Sequence, residues 1–411
     1  MKTPLALALV SLLVPAASAG EVEKKKKEPR KDWDFCEWIS NDAGLLHEDK
    51  DHWLLNRFQI SGRFHYQAAY VDGKDVNGRH FHDAYDEYRR TRLEMEMELL
   101  RYFDVEVAVN LVEDRRFRDA YPTDLDWGYD TFDTLAMTVD FDKLLDLEVL
   151  DKLHLTYGRM KLKVGEEQHQ SSREILTIER SGLSERLGGE NSRPTGAVLE
   201  ARRGDWQLGL GVFSSEDDSD TLANWDDGVF YYACLEWEPT KRWRFVFDQT
   251  VNDQDGPDSA LGYSWASSLS GIYTGKRWGI LVNGAYGDNG GADEGNANPR
   301  RQGDFWGAVI MPWYWIVDDK LQFVCSWQYQ RSAELEGIRL NPRYIGGGHD
   351  DPLINVRNVR GDHSEEIYAG LNYYICGHHA KLMGGVTRSN LDTRNGEVSA
   401  WTYSIAFRTY F

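Results

Sequence analysis

Residues 164–194 set Arg173, Arg180, Arg186 and Arg193 at intervals through one polar stretch, among Glu166, Glu167, Glu174, Glu179, Glu185 and Glu190. Arginine presents a planar, permanently charged fork that fits the oxygens of phosphate, and lysine presents a point charge. A ladder of such groups, each binding weakly enough to release, would pass a small anion along. The neighbouring glutamates offer the opposite use, pairing with the same arginines to hold the stretch in shape. Hydrolytic chemistry finds little to stand on. Neither Gly-x-Ser-x-Gly nor His-Glu-x-x-His occurs, and the 11 histidines are scattered. His349 with Asp350 and Asp351 is the best fragment of a triad, and it reads first as a solvated acidic loop. Acidic runs at 215–220, 253–258 and 288–293 could attract Ca²⁺, but none has the spacing of an EF-hand loop. No catalytic residue, cofactor or metal ligand is assigned from these patterns.

The elements that must position the arginines are strands. In residues 399–411, Trp401, Tyr403, Ile405, Phe407 and Phe411 fall on one face and Thr402, Ser404, Ala406 and Arg408 on the other. That two-residue period belongs to a strand with one apolar and one polar side, and a helix would not give it. The same alternation recurs at 58–70, 92–100, 103–111, 133–142, 153–163, 195–203, 205–214, 228–238, 242–251, 262–274, 277–287, 304–317, 321–332, 366–375, 381–390 and 398–411. Those sixteen segments have about the ten-residue length that a tilted membrane strand needs. Every second connection is short, and the others include long runs rich in Gly, Asn and Asp. The expectation is an all-β, 16-stranded antiparallel transmembrane barrel over 53–411, with a water-filled bore and both termini on the short-turn side. Arg63, Arg92 and Arg408 then join the four loop arginines as groups facing the bore. Lys161 and Lys163 have the parity of the outward face.

Composition agrees. Hydrophobic residues are 41% and charged residues 28%, with 15 Trp, 21 Tyr and 16 Phe, enough to furnish aromatic belts at two membrane interfaces. The net charge of −20 argues against a nucleic-acid partner. Residues 1–19 read as a signal peptide, with Lys2, an apolar core and Ala17-Ser18-Ala19 before the cut. Residues 20–52 form a charged extension containing the Lys24–Lys27 run, read first as solvated and second as a short plugging helix. Of four cysteines, Cys325 lies on an apolar strand face and Cys234 on a polar one. Cys36 and Cys376 fall on the same side of the barrel, but spacing alone does not establish a bond.

Over residues 153–200 the chain resembles the phosphate-selective porin O and P family. The resemblance rests on Leu155-Thr156-Tyr157-Gly158-Arg159-Met160-Lys161, a Glu/Gln-bearing turn from Gly165, the Glu179-Arg180-Ser181 element, and Gly196 opening the next strand. Lys163-Val164-Gly165 departs from it, where members often carry Pro. The terminal Phe411 and its alternating strand look like the C-terminal signature of outer-membrane barrels, though Thr409 departs from that pattern. The resemblance implies a homotrimeric channel in the bacterial outer membrane, beside lipopolysaccharide, inserted by the barrel-assembly machinery through its last strand. It implies passive diffusion of small inorganic anions or other small hydrophilic solutes, with the third outer loop, 164–194, folded inward. The alternatives are a non-selective or cation-leaning pore and a structural or adhesive barrel.

Overall fold

Backbone polar groups facing lipid have no water to bond, so a strand that crosses must pair on both edges. The computed structural model meets that demand by closing the sheet on itself. It describes residues 34–112, 128–189, 193–215, 225, 228–253, 260–290, 303–339, 343–346, 353–356 and 359–411. The chain divides into Met1–Phe35, of which only Asp34 and Phe35 are described, and Cys36–Phe411, which carries the barrel. The signal peptide, the Lys24–Lys27 run and His349–Asp351 lie outside the described residues, as does much of the acidic runs.

In chain order the elements are α1 (Phe35–Asn41), β1 (Leu45–Glu48), β2 (Leu55–Lys74), β3 (His80–Leu99), β4 (Phe103–Asn110), β5 (Thr131–Asp140), α2 (Phe141–Leu144), β6 (Lys152–Arg159), α3 (Glu166–His169) and α4 (Gly182–Leu187). There follow β7 (Thr195–Arg203), β8 (Trp206–Ser214), β9 (Val229–Thr240), β10 (Trp243–Asn252), β11 (Trp265–Thr274), β12 (Trp278–Asp288), β13 (Asp304–Val317) and β14 (Leu321–Ser332). A small ladder of β15 (Ile338–Arg339) and β16 (Arg360–Gly361) precedes β17 (His363–Tyr374), β18 (Ala380–Thr393) and β19 (Gly396–Tyr410). Each barrel strand pairs antiparallel with its sequence neighbours, and β14 pairs with β17 across the small ladder. The ring closes where β19 pairs with β2, from Ser399↔Lys74 to Tyr410↔Arg63. The sixteen strands are those the alternation predicts.

Alternation sorts the two faces. On β19, Tyr403 and Ile405 are 52% and 66% exposed, while Arg408 between later outward residues is 1% exposed. Exposed Leu208, Leu210, Leu235, Phe247, Leu269, Leu371 and Leu382 carry the same band around the wall. Aromatic pairs rim it. Trp206 stacks on Trp237 and Trp243 on Phe245 at the turn end, and Trp265 meets Tyr286 at the loop end. On β12, Trp278 and Tyr286 are eight residues apart, roughly 27 Å along a strand, which matches the height of an outer-membrane apolar band.

Three features depart from the sequence expectation. First, β2 and β3 run to 20 residues each, so their outer connection is the tight turn 75–79. There Asp75 accepts from the N–H groups of Asn77 and Arg79 at 2.9 and 2.8 Å. The β18–β19 connection is shorter still, residues 394–395. Second, the inner connection 141–151 holds the one-turn helix α2. Third, the second half of the charged extension is ordered. β1 takes over the β2 edge at Arg57–Gln59, where β19 has run out. Cys36 of α1 is disulfide-bonded to Cys376 in the β17–β18 turn, with Cα atoms 5.0 Å apart. Ile39 packs there with Ala380.

A seven-residue helix is too short to persist alone in water. The disulfide and Ile39 are therefore what hold α1. Replacing Cys36 by Ser is expected to speed amide exchange in residues 36–48 by roughly tenfold or more, and to leave β17 and β18 unchanged. Exchange mass spectrometry on the detergent-solubilised chain reads this directly.

Candidate functional site

The charged segment begins where β6 stops. Gly158 adopts φ 138°, and a Cβ there would lie 2.2 Å from the Leu135 carbonyl oxygen. Glycine thus lets the strand break away at Arg159 while still touching β5. Because the strand ends there, the outward parity expected for Lys161 and Lys163 does not apply. The Lys161 ammonium turns to donate to the Gln168 and Gln170 carbonyls at 2.6 and 3.3 Å. Gly165, at φ 80°, then opens α3 and donates its N–H to Asp248 on β10 at 2.9 Å. Ser181 caps α4 by accepting from the Ser184 N–H.

The segment's partners lie on the polar faces of strands all round the ring. On β10, Arg244 pairs with Glu166 at 2.6 Å and Asp248 with His169 at 2.9 Å. On β14, Gln328 accepts from the Leu183 N–H at 3.1 Å. On β17, β18 and β19, Asn372, Lys381 and Arg408 donate to the carbonyls of Leu176, Ile175 and Ile178. On β2 and β3, Arg63 donates to Ser172 and Arg89 pairs with Glu179 at 2.9 Å. Leu183 and Leu187 bury with Phe305 and Tyr263 against the β10–β13 side, an apolar knob that seats α4. Burial would raise the Glu179 carboxyl, but Arg89, Arg343 and Arg90 outweigh it and hold the group well below the usual carboxylate range. It therefore stays charged and anchors the segment.

Of the seven arginines singled out by sequence, four border one large cavity. Arg63, Arg92, Arg180 and Arg193 line a space of about 800 Å³ against β2–β10. Arg92 and Arg193 share Asp133, at 2.7 and 2.8 Å. Arg63 pairs with Glu94 at 2.7 Å. Arg180 donates to the Glu167 and Gln170 carbonyls at 2.7 and 2.9 Å. The other three do not border this cavity. Arg173 pairs with Glu94 and lies over the Tyr410 ring, Arg186 bonds Asn289 and lies 3.7 Å from the Phe305 ring centroid, and Arg408 holds the Ile178 carbonyl. Each is drawn into holding the segment, by β-strand and backbone partners that loop sequence alone does not reveal.

Sequence reasoning missed Arg90, Lys161, Lys163 and Arg244, which also line the cavity. Arg90 faces inward because His65 pairs with Arg90 but Tyr66 pairs with Tyr88, leaving Arg89 as an extra bulged residue. The bulge buries both arginines, against strict alternation. In all, nine Arg and Lys face seven Asp and Glu around this space. The carboxylates gather toward the turn end, where Glu96 opposes Glu106 and Glu98 opposes Asp104. In the opposite half of the interior, Arg343 and Tyr344, from the connection after β14, reach Glu87 at 2.6 and 2.9 Å, beside a small cavity of about 60 Å³ lined by Glu179 and Glu366.

Because Glu179 ties this segment to both β3 and the β14–β17 connection, neutralising it loosens one side only. Glu179→Gln is expected to raise amide exchange across residues 171–181 by roughly ten- to a hundredfold, the loss of about 1.5–3 kcal/mol from charge-assisted bonds. Residues 164–169, held by β10, stay protected.

Comparison with known proteins agrees with this architecture. The outer-membrane channel DcaP of Acinetobacter baumannii superposes at a TM-score of 0.56 with 12% identity, over 86% of this chain and 97% of that one. The anion-selective porin of Comamonas acidovorans gives 0.55 and 9%, over 86% and 99%. Vibrio cholerae OmpT in its trimer form gives 0.52 and 10%, over 86% and 99%. No curated protein matches in sequence. Residues 58–252, from β2 through β10, match the family model described as Phosphate-selective porin O and P. Together with the closed sixteen-strand wall, that match over just under half of the chain makes it similar to the phosphate-selective porins O and P and gives it the fold of outer-membrane porins.

Proposed function

We propose that this chain is a bacterial outer-membrane porin for passive diffusion, that it favours small anions, inorganic phosphate among them, and that residues 164–194 are its constriction. The observation that carries the reading is the convergence of Arg63, Arg90, Arg92, Lys161, Arg180 and Arg193 on one cavity. An anion entering it exchanges water for guanidinium and ammonium donors, and several such sites in series let it leave again. Contacts from the segment to eight strands on different sides of the ring support its lying across the bore. The Comamonas porin, described as anion-selective, supports the charge preference. A trimer is the assembly we propose, in line with the trimer form of the Vibrio protein. By resemblance, lipopolysaccharide borders its outer rim and the barrel-assembly machinery receives β19. A cation-leaning pore is the second reading, favoured by the carboxylate pairs Glu96↔Glu106 and Glu98↔Asp104 beside the cavity.

Reversal potentials across a planar bilayer in a KCl gradient separate the two. Anion preference is expected, with chloride current reduced by added phosphate; a cation-selective potential removes the reading. Arg90→Gln with Lys161→Gln is expected to lower the anion-to-cation permeability ratio by roughly five- to thirtyfold, as about 1–2 kcal/mol of field is lost.

Conductance should also depend on pH through Lys161. Desolvation, with Arg180, Arg193 and Arg90 facing it and Glu185 opposing them, holds its ammonium well below the ordinary lysine range. Lysine carries its charge below its pKa, so anion current is expected to fall as pH rises, at a lower pH than an exposed lysine would give. Lys161→Arg keeps the charge and should flatten that part of the profile.

A further inference from the structure

We propose that His169, Cys234 and Asp248 form a binding site for a soft divalent cation, Zn²⁺ in the first instance, that clamps the charged segment to the barrel wall. Cys234 and Asp248 are direct cross-strand partners on β9 and β10, so both side chains point to the same inner face. His169, at the end of α3, closes over them. Its Nε2 lies 2.9 Å from Asp248 Oδ1, and the three ligand atoms all lie within 4.8 Å of one another. Zn–N and Zn–S bonds of about 2.0 and 2.3 Å set tetrahedral ligand separations of about 3.3–3.8 Å, so shifts of under roughly 1 Å suffice. One thiol, one imidazole and one carboxylate is a donor set that suits zinc over magnesium or calcium.

The surroundings are built as metal sites are. Asp248 is fully buried, and its second oxygen accepts the Gly165 N–H at 2.9 Å, which fixes the carboxylate. Tyr232 donates to the Lys163 carbonyl at 2.9 Å and stands 3.4 Å from Asp248 Oδ1. Cys234 is a free thiol, unlike Cys36 and Cys376. His169 and Cys234 both border the large cavity, so an ion can arrive through the bore and keep a water as its fourth ligand. Binding releases the Cys234 proton to solvent, and the proton on His169 Nε2 moves to Nδ1. The site changes from a thiol with one carboxylate to a neutral metal centre, one unit more positive on the wall of the bore.

The test uses the full chain, solubilised and folded in detergent, in a Cys325→Ser background that removes the other free thiol. Co²⁺ is expected to bind one per chain with a thiolate-to-cobalt charge-transfer band in the near ultraviolet, and Zn²⁺ to displace it. Cys234→Ser should abolish the band, and His169→Gln should weaken Zn²⁺ binding roughly tenfold or more, by calorimetry. In bilayers, micromolar ZnCl₂ should alter single-channel current in the parent and not in Cys234→Ser. A folded parent without the band, or unchanged Zn²⁺ affinity in Cys234→Ser, overturns the proposal. If a variant does not fold, maleimide labelling of Cys234 in the parent decides instead: protection by Zn²⁺ is expected, and equal labelling with and without the metal rejects the site.

Discussion

Everything in this barrel depends on one closure, the ladder between β19 and β2. Twelve residue pairs from Ser399↔Lys74 to Tyr410↔Arg63 join the last strand to the first. Without it, two strands would present unpaired N–H and C=O groups to lipid, at several kcal/mol each. Closure also fixes what the polar faces can do. Once the apolar residues of every strand look outward, the alternate residues have nowhere to go but into a shared interior. Charges that would be isolated on an open sheet are thereby brought within reach of one another and of the segment after β6.

That interior is not used evenly. On the β13–β19 side, the connection after β14 sends Arg343 and Tyr344 inward to Glu87. On the β2–β10 side about 800 Å³ stays open. The segment 164–194 lies between, seated by Leu183 and Leu187 on one side and by the Arg89–Glu179 pair on the other. The charges that border the open space are accordingly those of β2–β10 and of the segment itself.

The wall was legible in the sequence because a period of two survives any packing detail, and all sixteen segments appear where alternation puts them. The bore was legible only in part, because what a side chain does there depends on breaks in that period. Arg89 and Arg90 both face inward through a bulge. Lys161 escapes its outward parity because the strand breaks away after Gly158 and ends at Arg159, four residues earlier than alternation suggests. Arg173 and Arg186 take partners on β3 and in the connection after β12, far away in sequence. The Cys36–Cys376 bond needed geometry, since spacing gives no Cα separation.

An acidic overall charge and cations that face the bore are compatible because of how part of the segment is held. Lys161, Arg180, Lys381 and Arg408 all donate to its backbone carbonyls, at Gln168 and Gln170, Glu167 and Gln170, Ile175, and Ile178. A carbonyl satisfies a donor without cancelling its charge, whereas a carboxylate would do both. Lys161 and Arg180, the two of these four that border the cavity, can therefore fix the segment and keep their charge facing that space. Glu166 and Glu179 hold the segment in the other way, pairing with Arg244 and Arg89, and each of those arginines faces a carboxylate where it grips. The distinction between an arginine that holds and an arginine that attracts is thus a matter of its acceptor: backbone carbonyls for Arg180, carboxylates for Arg63, Arg92 and Arg193.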